Sequence, residues 1–464
     1  MIKNIKISLA ILLSTLAISC SDFLDVNENP NQSIDVPSEL ILKGMELATV
    51  QIQLGHSMRI SQLWTGQLKG QANLYRNLYN YNISPEESNS EWSFGYHGVI
   101  TQNRIIQDTS EDMLVKGIGN VLEASTVGSM AAMFGDIPYS QFGQEDPEFD
   151  PQTQVFEQVQ SLLDTAITQL SAASPSRISN QDILVGKKPA AWIEVANTLK
   201  ARFYLITKNY TAALSSANKG ISSDANNMSF GKGFGSFGST LENSNLYYIV
   251  LDGSRGGDFS TTGSYIDDLL NPTKTNSRNH AKTNETRRKD FLSVDINSRT
   301  VNTISYKSYT LPMVSFQENS LIIIETTARL NEFDQGLSKL NTYRAYLNSG
   351  KGFIGNPSLL SKYEAFVSAD FEANGIENLD GLSKNKALLR EIMEEKYVSC
   401  FGTHIPFDDF RRWSASDPDL VMKIPPVTGS QHPQRLPISQ NEIDGNSNTP
   451  SPIPSIFEKT LVNK

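Results

Sequence analysis

Cysteine is almost missing from this chain: of 464 residues only Cys20 and Cys400 carry a thiol. A disulfide-stapled framework and a cysteine-built zinc site are therefore excluded. Histidine is sparse too. The five, His56, His97, His280, His404 and His432, include no pair spaced to place two metal ligands on one helix face. No G-x-S-x-G elbow occurs. The glycine-rich "GKGFGSFGS" at 231–239 lacks the G-K-[ST] ending and is read as a loop with no strand before it, not as a phosphate cradle. "DVNENP" begins like a calcium loop but has no glycine in sixth place and carries Val36 where the twelfth-place glutamate belongs. Positive charge is also short, with 40 Lys and Arg against 50 Asp and Glu, a net charge of −10. An acidic surface repels phosphate backbones, so no nucleic-acid partner is expected. Beyond the first nineteen residues no apolar run reaches membrane length.

What the sequence does hold begins at its start. Lys3 and Lys6 precede an apolar run from Ile7 to Ile18, and the small Ser19 stands before Cys20. This pattern predicts a secretory signal peptide over 1–19, its core too short to span a bilayer as a helix. A small residue directly before cysteine resembles a lipobox, in which Cys20 is acylated and becomes the first residue. Ala17 stands where such motifs commonly have leucine. Lipidation gains about 0.8 kcal/mol per buried methylene, enough with several chains to hold a soluble domain at a membrane. Losing Lys3 and Lys6 takes the net charge from −10 to −12. Cys400, within the apolar pattern of "LLREIMEEKYVSCFG", reads as a small buried hydrophobe.

Helical periodicity dominates the remainder. "VFEQVQSLLDTAITQL" places Val155, Phe156, Val159, Leu162, Leu163, Ala166, Ile167 and Leu170 on one stripe, and "KKPAAWIEVANTLKARFYLITKNY" repeats the pattern through Trp192, Val195, Ala196, Leu199, Phe203 and Ile206. Further helices are expected in 37–54, 91–110, 121–135, 210–221, 318–331, 333–347 and 385–402. Small residues such as Ala191, Ala196 and Ala201 let neighbours approach, and the paired short helices resemble degenerate tetratricopeptide units. Between them lie long aperiodic segments, 63–90, 222–265, 271–315 and the proline-rich 423–457. Long loops on a helical scaffold usually carry function. Glu394 and Glu395 are read as part of a solvated helix face.

Six segments in order then form a recognisable series: "DFLDVNENPN" after Cys20, "MFGDIPYSQFG", "FDPQTQVFEQVQSLLDTAITQL", "WIEVANTLKARFYL", "SFQENSLIIIETTARL" and "RLPISQNEIDGN". Together they resemble the SusD/RagB family of nutrient-binding lipoproteins, in its SusD-like branch, with "FRRW" at 410–413 similar to a C-terminal arginine-rich region of that family. "IIIETTARL" departs from the usual small-residue core, and Ile438 stands where tyrosine is common. The resemblance implies a mostly α-helical single domain over 20–464, built on about four tetratricopeptide-like helix pairs, with long irregular loops forming a ligand-binding face. It implies an oligosaccharide or polysaccharide ligand, or a peptide. It also implies a SusC-like TonB-dependent transporter as partner and an outer-membrane position facing the exterior, held by the lipid on Cys20. Ser21 and Asp22 look like the surface-export signal of Bacteroidetes lipoproteins. No catalysis and no cofactor are implied, although a structural calcium ion on loop oxygens stays open.

Aromatic placement nominates the ligand contacts. Trp92, Tyr96 and Trp192 lie in helical stripes and are assigned to the core. Trp64 opens "WTGQLKGQANLYRNLYNYN", where Trp64, Tyr75 and Tyr79 are expected to offer ring faces while Asn73 and Arg76 bond ligand hydroxyls. The glycine-rich "DGSRGGDFSTTGSY" adds Arg255, Asp258 and Phe259, expected to reach the same face. Alternatives from other classes are a surface glycoside hydrolase and a purely structural lid.

Overall fold

The computed structural model describes residues 36–174, 182–186, 188–330 and 333–464. The expected signal peptide and Cys20 lie outside the described residues.

Helix Met113–Phe134 forms the centre, buried along nearly its whole length, as an all-round apolar helix must be. Asp112 caps its start by accepting from the Leu114 amide at 2.8 Å. Helix Gln152–Ala172, which follows Pro151, lays its stripe of Val155, Phe156, Val159, Leu163, Ala166 and Leu170 against it. Helix Pro189–Ile206 crosses behind, with its Phe203 ring resting on Gly128 so closely that a Cβ there would stand 2.2 Å from the ring. No larger residue fits at 128.

The helices associate in successive pairs, as expected for a mostly α-helical chain. Ser38–Leu54 packs on the continuous helical run Asn89–Thr109, and Met113–Phe134 on Gln152–Ala172. Pro189–Ile206 packs on Tyr210–Ala217, and Phe316–Leu330 on Phe333–Asn348. The run at 89–109 departs from α geometry over Phe94–Ile100, a π-helical stretch. Helices not expected from periodicity include His56–Trp64, which starts directly after Gly55, Ile405–Ser416 and the short Leu246–Asp252, Tyr265–Leu270, Thr286–Phe291 and Gln440–Gly445. Strands are short, pairing 69–70 with 259–260, 228–230 with 311–314 and 283–284 with 362–363. One corrects the sequence reading: Met228–Phe230 does precede the glycine-rich 231–239 segment, but turns follow it instead of a helix.

Charge is buried where the C-terminal helices meet this scaffold. Glu325 accepts both terminal nitrogens of Arg412 at 2.8 and 2.9 Å, Arg329 Nε at 3.0 Å and the Trp413 indole N–H at 3.3 Å. Trp413 is thereby a core residue. A second cluster joins Arg278 to Glu391 at 2.8 Å and Glu395 at 2.9 Å, and Arg288 to Glu395 at 2.9 Å. Glu395 is fully buried, not on a solvated face as its sequence context suggests. Burial opposes its charge, yet Arg288 and Arg278 more than offset this and hold its carboxyl at about 2. Cys400 is buried and unpaired, and burial pushes its thiol pKa up.

His404 fastens this C-terminal region to helix Ser38–Leu54, with Nε2 2.9 Å from the Ile52 carbonyl and Nδ1 3.1 Å from the Ser61 hydroxyl. Burial lowers its pKa from about 6.5 to about 4. The unfolded chain therefore takes up a proton between these values that the folded chain refuses, and stability is lost as pH falls from about 6.5 toward 4. Thermal melting of the His404→Asn variant should show a shallower decline over that interval than the parent; parallel curves would contradict the assignment.

Candidate functional site

Helix His56–Trp64 stops at Thr65, and Gly66 turns the chain with φ +70. A side chain at 66 would meet Tyr265 Cβ at 2.7 Å, so this turn requires glycine on both grounds. The chain then reaches Lys69–Gly70, which pairs antiparallel with Phe259–Ser260. This two-residue ladder joins the two segments that the sequence nominated separately. Their union is tightened by Asp258, whose carbonyl accepts from the Gln71 and Ala72 amides at 2.7 and 3.2 Å. Its carboxylate accepts from Asn73 Nδ2 at 2.8 Å and Arg255 at 3.3 Å.

Within this junction the aromatic assignments change. Trp64 closes a helix instead of opening a loop and is 1% exposed. Its indole N–H donates to the Leu78 carbonyl at 2.9 Å, and its ring meets Tyr81 and Phe407 edge-on. It offers no face to a ligand. Tyr75 is 2% exposed, accepts from Arg59 Nε at 2.7 Å and lies 4.7 Å from Phe259, which is itself buried. The reason is general: an aromatic ring withdraws 150–250 Å² from water, and a core within reach outcompetes an open loop for it. Asp258 is likewise buried and acts as the clamp between segments. Asn73, Arg76 and Arg255 remain exposed and Tyr79 half-buried, with burial raising the Tyr79 pKa.

Of the nominated residues, Arg255 and the buried Tyr75 line a groove of about 360 Å³, whose walls also include His56, Arg59, Leu74, Ile249 and Val250, whereas Asn73, Arg76 and Tyr79 stand outside its lining on the adjoining segment. His56 and Arg59 were missed because their helix was missed; one turn apart, they share a face. His56 Nε2 lies 2.7 Å from Glu87 Oε2, and this hydrogen bond lowers the Glu87 pKa. The groove thus combines an apolar flank with the guanidinium donors of Arg59 and Arg255, a surface suited to holding hydroxyl or carboxyl oxygens. Among the described residues no group of three or more His, Cys, Asp or Glu is placed to hold a metal ion. No described helix is long and apolar enough to cross a membrane.

A scaffold of successive helix pairs with a loop-built groove defines a class of helical binding protein. Residues 30–343 match the SusD-like family described as "Starch-binding associating with outer membrane", and the chain belongs to that family. Its fold is shared with a SusD/RagB family protein of Bacteroides thetaiotaomicron, at 19% identity and a TM-score of 0.62 over 89% of this chain and 95% of that one. A chitin-binding SusD homologue of Flavobacterium johnsoniae aligns at 18% identity and TM-score 0.61, over 88% and 94% of the two chains. A SusD homologue of Bacteroides uniformis gives 16% identity and TM-score 0.65, over 93% and 100%. No curated protein matches.

Proposed function

We propose that this protein captures a glycan at the outer surface of the cell and passes it, without a chemical step, to a SusC-like TonB-dependent transporter. The supporting observation is the groove itself. Two loops far apart in sequence are joined by strand pairing and by the Asn73, Asp258 and Arg255 bonds, so that polar donors are fixed beside an apolar flank. Family membership and the chitin-binding homologue favour a carbohydrate over a peptide. In this reading Cys20 carries the lipid that anchors the domain at the outer membrane, and the long helices provide the rigid body that meets the transporter.

Asn73, Arg76 and Arg255 are then the hydroxyl-binding residues, with Tyr79 and Leu74 against the sugar face. Calorimetry with chitin-, starch- and plant-derived oligosaccharides should give binding for at least one class. The double variant Arg76→Ala/Arg255→Ala should weaken it roughly tenfold or more, about 1.4 kcal/mol per tenfold, with only a small drop in melting temperature, since both side chains are exposed and Asp258 keeps its Asn73 and backbone bonds when Arg255 is lost. Unaltered affinity in that variant would remove the groove from the proposal, and new reducing ends during incubation would refute the non-catalytic reading.

A further inference from the structure

A second pocket of about 360 Å³ lies apart from the groove, walled by residues of three chain segments: 89–97, 138–147 and 439–442. Its first wall belongs to the helical run that turns π-helical over Phe94–Ile100, a departure frequent at functional positions. This stretch sets Tyr96 and His97 toward the cavity. The Tyr96 hydroxyl donates to the Pro138 carbonyl at 2.8 Å, and its ring lies nearly parallel to Phe142, 12° apart with centroids at 6.2 Å. Two partly exposed rings are thereby held in one orientation.

The polar walls are fixed as firmly. Asn89 Oδ1 accepts from the Ser439 hydroxyl at 2.7 Å and the Asn441 amide at 3.2 Å, which leaves Nδ2 as its donor. Glu442 is held through Oε1 by Asn446 Nδ2 at 2.6 Å, and burial raises its pKa. Trp92 supplies the observation that hydrogen bonding within the fold does not explain. It lines the pocket at 4% exposed, yet its indole N–H has no acceptor among the described residues. The three other tryptophans donate to Leu78, Asp182 and Glu325. A buried donor left unpaired costs about 1–3 kcal/mol; the nitrogen lies just beneath the pocket wall, closed to water, so an acceptor on a ligand reaches it when the neighbouring wall side chains shift.

We infer that this pocket is a second carbohydrate subsite that takes one neutral pyranose residue. The ring C–H face lies against Tyr96 and Phe142, Trp92 and Asn89 donate to its oxygens, and Glu442 accepts from a hydroxyl or an acetamido N–H. A uronate or phosphate would bring negative charge against the Glu442 carboxyl and is disfavoured. The inference rests on the glycan reading and extends it: two separated subsites would hold a chain at two points, raising avidity without new contacts at either.

The test uses the full chain with oligosaccharides of N-acetylglucosamine and of glucose, two to seven units long, as probes. In the Arg76→Ala/Arg255→Ala background, residual binding should persist and alter tryptophan emission. Trp92→Phe should abolish the emission change, and Phe142→Ala and Glu442→Gln should each weaken residual binding about tenfold. Melting curves identify any variant that fails to fold, and Glu442→Gln, at a half-exposed position, keeps the test open should Phe142→Ala be unstable. Binding to the parent that is unchanged by Trp92→Phe and Glu442→Gln would overturn the subsite while leaving the groove intact. Failure of every probe to bind the parent would overturn the subsite, and failure of the plant-derived oligosaccharides as well would overturn the glycan reading.

Discussion

Replacing Trp64 by alanine is expected to destabilise the protein by about 3–5 kcal/mol, the range for removing a large buried aromatic and leaving a cavity. The ring is 1% exposed between Tyr81, Phe407 and the Leu78 carbonyl, so deletion forfeits its contacts and leaves that carbonyl with its backbone partner, the Tyr81 amide at 3.1 Å. The ring also holds the carbonyl of Leu78 in helix Asn73–Tyr79, so any loss of ligand binding should follow from displacement of that segment. Trp64→Phe should cost less, because most of the ring volume is kept and one hydrogen bond, worth about 1 kcal/mol, is lost. Urea unfolding of the three proteins measures both differences. A Trp64→Ala protein with parental stability and no glycan affinity would restore the stacking role that its sequence context suggests.

A loss of similar size is expected from Arg412→Ala. Removing one member of a buried ionic cluster typically costs about 3–5 kcal/mol, because charge is left buried without its partner. Here Glu325 loses two hydrogen bonds at 2.8 and 2.9 Å, and Asp409 loses two at 2.7 and 3.2 Å. Burial works against the Glu325 charge, but Arg412, Lys396 and Arg329 prevail and hold its carboxyl well below the ordinary glutamate range. Its stabilising share is therefore complete above the unfolded value near 4.5 and is lost as pH falls through the lowered folded value. Without Arg412 the folded value rises, and the acid-unfolding midpoint should move to higher pH. The double variant Glu325→Gln/Arg412→Met removes both charges at once and should recover part of the loss. Acid titration of the far-ultraviolet circular dichroism tests these points; a midpoint unmoved in Arg412→Ala would show that the cluster contributes nothing to acid resistance.

The sequence by itself determined the helical class, most of the long helices and the family. Gln152–Ala172 and Pro189–Ile206 show why: a 3.6-residue apolar period is a local property, readable without knowing what the stripe covers. The sequence also marked the two segments around Asn73 and Arg255. Only the tertiary structure decided which of their side chains face water. Trp64, Tyr75 and Phe259 turned inward because a core assembled from distant helices stood within reach, and no local signal reports that proximity. His56 and Arg59 entered the groove on a nine-residue helix too short to display a clear period. Glu395 and Trp413 were settled by charged partners 88 to 117 residues away, Arg278 and Arg288 for the first and Glu325, which Arg412 also holds, for the second. Periodicity records the direction a side chain takes relative to its own backbone, whereas burial and charge pairing depend on what the rest of the chain brings to meet it.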